Sequence, residues 1–201
     1  MIRRWIRRGA STDRGGAERG QAMVEMAAIL PILLLLTLGT LEFGFAFDHR
    51  LTLEYATREG ARTGAALSNG DGDTAVCATI DAQIVAAVQR VLKSPGSDVD
   101  ISDVPEILIY RAGADGEMLG TPNRWTYSAG GGPVVDGVPI DYVNASTAWP
   151  ACSRVSAPNP DSLGVSLSYR YVLRTPLSIF LGFVEIPMSD RTVMALSPTD
   201  Y

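Results

Sequence analysis

The sequence contains very few of the side chains that enzymes use as general bases or metal ligands. Its 201 residues include one histidine, His49, and one lysine, Lys93. It has no Gly-x-Ser-x-Gly nucleophile motif, His-Glu-x-x-His zinc motif or phosphate-binding glycine loop. Asp98, Asp100 and Asp103 stand in a predicted loop, where aspartates are usually solvated. The sequence therefore gives no positive indication of an enzyme, a cofactor or a metal site.

Cysteine is also scarce, because the chain has only Cys77 and Cys152. Both lie outside the long apolar run described below. An even number of cysteines in an exported domain favours a disulfide. A metal site needs more ligands than these two residues and His49 provide. We predict a disulfide between Cys77 and Cys152, with two free thiols as the alternative.

One stretch is nearly free of charge, since Glu25 and Glu42 are the only charged residues between positions 22 and 47. Roughly 20 apolar residues suffice for a helix that spans a bilayer. A secretory signal has an apolar region of only ~7–15 residues, closed by an A-x-A-like cleavage site. This run is longer and no such site closes it, which predicts a membrane helix that stays in place. An acid inside such a helix, here Glu25, is a candidate functional residue.

The charges are unevenly distributed along the chain. The formal net charge is −5, of which residues 1–20 carry +4, through six arginines, and the remainder −9. Arginines that flank a membrane helix favour the cytoplasmic side. We therefore expect a single-pass membrane protein with a cytoplasmic N-terminus and an extracytoplasmic C-terminal domain. The acidic remainder argues against nucleic-acid binding, which requires a basic surface.

The residues around the start of the apolar run form a recognisable pattern. Gly20 begins the sequence Gly-Gln-Ala-Met-Val-Glu, which ends at Glu25, and Pro31 follows within the run. Residues 56–62 read Ala-Thr-Arg-Glu-Gly-Ala-Arg. Together these features resemble TadE-like pseudopilins, which are minor components of Tad (Flp) pilus systems. The resemblance implies that a prepilin peptidase cuts after Gly20, that Gln21 becomes the first residue, and that Glu25 takes part in assembly.

The resemblance also implies a function and a set of partners. The expected function is that of a minor pilin in pilus assembly, adhesion or secretion. Its partners would be other pilin and pseudopilin subunits, the prepilin peptidase, the inner-membrane assembly platform and membrane lipid. Two alternatives are a static single-pass anchor that displays a binding domain, and a secreted enzyme with a signal peptide. The mature N-terminus distinguishes the three.

The chain divides into three predicted parts: a basic leader at residues 1–20, a transmembrane and stem helix at 21–66, and an extracytoplasmic head at 67–201. The stem would be one helix of roughly 68 Å. Glu42 lies about 26 Å beyond Glu25 along it, which predicts an interfacial charge at the outer side of the membrane rather than a role in assembly. Gly60 and Gly64 have the spacing of a close helix contact, either with the head or with a neighbouring subunit.

The head is predicted to be a small α+β domain with an antiparallel sheet. Helical periodicity with Thr74 as the cap favours a helix over Thr74–Leu92. Alternating or apolar segments predict strands at residues 107–111, 117–119, 163–173 and 188–196. Residues 120–162 are rich in Gly, Pro, Asn and Ser, which favours a long surface excursion held by Cys152. Asp71 and Asp73 are a weak candidate for a calcium loop, because the twelve-residue acidic pattern is missing.

Overall fold

The computed structural model describes residues 14–182 and 185–197. Most of the predicted leader, residues 1–13, lies outside this part. The helices are α1 (Arg14–Leu67), α2 (Thr74–Cys77), α3 (Ile80–Leu92) and α4 (Ser178–Leu181). The strands are β1 (Glu106–Ala112), β2 (Met118–Tyr127), β3 (Val134–Val135), β4 (Val138–Pro139), β5 (Tyr142–Ser146), β6 (Ser162–Val172) and β7 (Glu185–Ala195). The predicted fold class, a long N-terminal helix followed by an α+β head with an antiparallel sheet, is confirmed.

Helix α1 is 54 residues long and has two unlike halves. Residues 22–41, here called the apolar half, are mainly apolar, with Glu25 as the single charged residue, and nearly all of them are exposed. From Glu42 onward the same helix packs into the head and contributes small and apolar side chains to its core: Leu53, Ala56, Ala61 and Ala65. The stem and the head thus share one hydrophobic core, although the division of the chain into domains stays a prediction.

A five-stranded antiparallel sheet of order β5-β2-β1-β6-β7 forms the other layer of the head. Helices α1 and α3 pack together, and α1 also lies against β6 and β7. Alternate residues of β6 are buried beneath the helix, as expected of a sheet with one covered face: Leu163, Val165, Leu167, Tyr169 and Tyr171. The opposite face carries exposed ion pairs such as Arg191–Glu117, so it faces solvent.

Strand β6 runs antiparallel to α1. Its first residues lie beside Gly64 of the helix, and its last residues reach Glu42 through Tyr171. The connection from β6 to β7 therefore lies at the end of the head where the apolar half emerges. The hairpin between β1 and β2 lies at the opposite end, because Arg111 pairs with both Leu119 and Leu163.

The predicted single helix over Thr74–Leu92 is interrupted. A break at residues 78 and 79 separates the one-turn helix α2 from α3. The cap is also one residue earlier than predicted, because Asp73 Oδ1 accepts a 2.7 Å hydrogen bond from the Ala75 amide. A carboxylate at this position satisfies amides that the first helical turn leaves free.

The predicted surface excursion over residues 120–162 is wrong for much of its length. Strand β2 continues to Tyr127, and β5 pairs with it along the edge of the sheet. The side chains of Trp125 and Tyr142 are buried in the core, and this burial explains why β2 and β5 pair. The many turn-forming residues in this segment predict a loop. Burial of the two aromatic side chains instead stabilises an additional pair of strands.

Candidate functional site

The three residues of the predicted cleavage and assembly site lie on the exposed first part of α1. Gly20, Gln21 and Glu25 are all exposed. Gln21 Nε2 donates a 3.0 Å hydrogen bond to Glu25 Oε1, one helical turn away. A Cβ atom on Gly20 would meet no other atom within 4 Å among the described residues. The site is thus accessible and independent of the packing of the head.

The apolar half provides a surface of membrane length. Its 20 residues span about 30 Å along a helix, which equals the thickness of a bilayer's hydrocarbon core. The helix that contains it is long and apolar enough to cross a membrane, and its most apolar stretch of 18 residues is not buried in the head. A second segment with these properties, Thr74–Leu92, is mostly buried and forms part of the core of the head. These observations support membrane anchoring through α1.

Glu42 is buried against the head, a contact that the sequence does not predict, and its position at the outer membrane interface stays a prediction. Its side chain is 4% exposed. The carboxylate accepts hydrogen bonds from the Arg174 amide at 3.0 Å, from the Thr175 amide at 2.8 Å and from the Tyr171 hydroxyl. Glu42 therefore joins the stem to the end of β6. An acid at the end of an apolar run also fits an interfacial charge, so the sequence contains no signal that separates the two roles.

His49 extends this contact two turns farther along α1. It is buried, and its Nδ1 atom lies 2.7 Å from the Tyr169 hydroxyl. Its ring packs edge-on against Tyr171, with centroids 5.1 Å apart. Burial and, secondarily, the charge of Arg174 lower the pKa of His49. Burial raises the pKa of Tyr169 to about 12. Both groups are neutral near pH 7, which fits a structural contact better than a proton-transferring pair.

Gly60 and Gly64 allow α1 to approach the head closely. A Cβ atom on Gly60 would lie 2.6 Å from Val88 Cγ2, and one on Gly64 would lie 2.8 Å from Ile84 Cδ1. The two glycines therefore pack against helix α3 of the same chain. Nearby, Arg58 and Arg62 are exposed and pair with Glu54 and Glu59 on the helix surface, as expected for a solvated face.

Cys77 and Cys152 form a disulfide with a Cα–Cα distance of 5.1 Å, within the usual range. A buried ion pair lies beside it, in which Arg154 Nη2 donates a 2.5 Å hydrogen bond to Asp81 Oδ1. Asn123 Nδ2 donates to the other oxygen of Asp81 at 2.7 Å. This network fixes the segment before β6 against α3. Sequence reasoning missed it, because 73 residues separate Asp81 from Arg154.

The acidic loops have structural roles. Asp100 accepts a 2.9 Å hydrogen bond from the Ser102 amide, and this bond lowers the pKa of Asp100. Asp98 pairs with Arg174 at 3.0 Å. Asp73, considered above for calcium, is the cap of α2. Within residues 14–182 and 185–197, no group of three or more His, Cys, Asp or Glu side chains is placed to hold a metal ion.

Comparison with known families identifies the first part of this arrangement. Residues 20–62 match the model of the TadE-like protein family. This segment is similar to TadE-like proteins and is called the TadE-like segment below. The TadE-like segment includes Gly20, Glu25, Glu42 and Gly60, and it ends before the first strand of the head. No curated protein and no solved structure matches the chain. The match supports a pilin-like protein associated with a Tad pilus.

Proposed function

We propose that this protein is a minor pilin, or pseudopilin, of a Tad/Flp-type pilus. The observation that carries the proposal is the contrast between the two halves of α1. The apolar half is exposed, whereas one side of residues 42–67 packs into the core of the head. A bilayer covers such a surface before assembly, and the stems of other pilin and pseudopilin subunits cover it afterwards.

The proposed maturation step is cleavage after Gly20 by the prepilin peptidase at the cytoplasmic side of the membrane. Gly20 is exposed and has free space around its Cα atom within the described residues. Cleavage would create an α-amine on Gln21, with an ordinary pKa of about 7.7–8.0. Since the Gln21 side chain already reaches Glu25, the new ammonium group would lie one turn from that carboxylate. The same pair can form between two subunits when their stems are offset along the axis.

The two alternatives make different use of α1. A static anchor would retain the leader and display the head, with the apolar half permanently in lipid. A secreted enzyme would require cleavage near the end of the apolar run. Helix α1 continues without interruption from Arg14 to Leu67 and passes directly into the core of the head. This continuity favours retention of the helix, as in the minor pilin and the anchor. In the pilin, the inner-membrane assembly platform would then receive the processed subunit.

The mature N-terminus, measured by mass spectrometry of the intact membrane protein, tests the proposal. We expect the chain to begin at Gln21. A start at residue 1 or 2 would support the static anchor, and a start beyond residue 40 would support secretion. We expect Gly20→Trp to block processing, because the peptidase must accommodate a small residue there. Gly39→Trp is the matched control: a Cβ atom on Gly39, also in α1, would meet no other atom within 4 Å in the described structure, and processing should continue.

A further inference from the structure

The end of the head nearest the apolar half presents a group of exposed apolar side chains. Strand β6 runs along α1 toward the apolar half and ends beside Glu42. The chain then turns back through α4 before β7 begins. On this turn Ile179 is 80% exposed and Leu181 is 47% exposed. On α1, immediately after Glu42, Phe43 and Phe47 are exposed and their rings stack with centroids 6.2 Å apart.

The hydrogen bonds of Glu42 determine the depth at which this turn would lie relative to a bilayer. If the apolar half fills the hydrocarbon core of about 30 Å, Glu42 lies at its outer boundary. The Arg174 and Thr175 amides, which bind the Glu42 carboxylate, lie at the same boundary. The polar layer of a membrane extends several ångströms farther outward. Phe43 and Phe47 follow Glu42 within about 8 Å along the helix, and therefore fall inside this layer.

We propose that Phe43, Phe47, Ile179 and Leu181 form a juxtamembrane surface that inserts into the outer interfacial layer of the bilayer and holds the head against it. Aromatic rings concentrate at this depth of a membrane, and exposed aliphatic side chains on a short helix bury their apolar area there. The continuity of this surface with the apolar half identifies lipid as its partner. The inference rests on insertion of α1 in a membrane, and it holds whether or not the chain is a pilus subunit.

The charged residues at this end of the head determine which lipid headgroups the juxtamembrane surface can contact. Asp98, Asp100 and Asp103 lie on the loop that precedes β1, and Arg174 is paired with Asp98. A surface with these acids gains nothing from anionic headgroups, because like charges repel. The contact is therefore apolar, and it should form on an uncharged phosphatidylcholine bilayer.

The structure offers a matched control for a depth measurement. Leu119 is 50% exposed, nearly the same as Leu181, but it lies on β2 at the opposite end of the sheet. Leu36, within the exposed apolar half, serves as the reference for an inserted position. Both native cysteines are in the disulfide, so a single introduced cysteine can carry a fluorophore. The full chain would be placed in phosphatidylcholine nanodiscs that contain lipid spin-labelled near the headgroup end of the acyl chain.

We expect the fluorophore on Leu181→Cys to be quenched several-fold more strongly than the one on Leu119→Cys, and the one on Leu36→Cys to be quenched as well. Equal quenching at Leu181 and Leu119, with Leu36 quenched, would overturn the juxtamembrane surface and leave the membrane helix intact. An unquenched Leu36 would overturn both. Quenching at Leu181 that appears only when anionic phosphatidylglycerol is added would also refute the proposal, because the contact would then be electrostatic.

Discussion

The backbone amide of Thr175 donates a 2.8 Å hydrogen bond to Glu42 Oε2, at the residue that directly follows the apolar half of α1. With the Arg174 amide and the Tyr171 hydroxyl, this bond fixes the end of β6 to the helix. The head is thereby held at a defined level on the stem. His49 and Gly60 continue the same helix–sheet contact away from the apolar half.

Glu42→Ala should loosen the attachment of the head to the stem. The substitution leaves two amides and one hydroxyl without their acceptor, and each buried group left without a partner costs about 1–3 kcal/mol. We expect the free energy of unfolding to fall by roughly 3 kcal/mol, measured by denaturant titration of the full chain in detergent micelles. Glu59→Ala, on the exposed surface of the same helix, is the control and should change stability little. An equal response of both variants would contradict the role assigned to Glu42.

Gly60→Ala should destabilise the head, because the added methyl group would lie 2.6 Å from Val88 Cγ2. Overpacking of this kind costs typically about 1–3 kcal/mol. Gly44→Ala is the matched control, since it lies in the same helix with no atom within 4 Å of an added Cβ in the described structure. Alanine favours helix over glycine by about 1 kcal/mol, so this variant should be neutral or more stable. Thermal unfolding followed by circular dichroism compares the two, and a lower midpoint for Gly44→Ala than for Gly60→Ala would contradict the close packing at Gly60.

The exported protein should contain no free thiol. The Cys77–Cys152 disulfide closes a loop of 75 residues, which contributes about 4 kcal/mol in the chain-entropy model. We expect mass spectrometry after alkylation without reductant to show no modified cysteine. We also expect the Cys77→Ser/Cys152→Ser double variant to unfold at lower denaturant concentration than the wild type. Stoichiometric alkylation of both cysteines in the native protein would contradict the prediction.

Glu25→Leu should separate membrane insertion from pilus assembly. Removal of the carboxylate removes the cost of an acid at the membrane, so insertion should be at least as good as in the wild type. If Glu25 pairs with the amine of Gln21 on a neighbouring subunit, incorporation into the pilus should fail while processing at Gly20 largely survives. Surface pili would be counted in a strain whose only copy carries the substitution, with Glu59→Leu as the control. Wild-type numbers of pili in the Glu25→Leu strain would defeat the assembly role.

Local sequence patterns were sufficient to predict helix α1, strand β6 and the most distinctive segment of this protein. The run of residues 22–41, in which Glu25 is the single charged residue, predicts a membrane-length helix, because about 20 mainly apolar residues span the hydrocarbon core. The alternation in β6 predicts a strand with one buried face, because its period of two residues is a property of the backbone. Gly20, Gln21 and Glu25 follow one another in a single stretch, so their pattern is visible without a structure.

Contacts between distant residues were decided only by the tertiary structure. Asp81 pairs with Arg154 across 73 residues, and β2 gains β5 because Trp125 and Tyr142 are buried together in the core. Glu42 is the clearest case, since the same acid at the end of an apolar run would be solvated if β6 ended elsewhere. Whether a charged side chain is exposed or buried depends on which segments pack over it, and that arrangement is a property of the whole fold rather than of neighbouring residues.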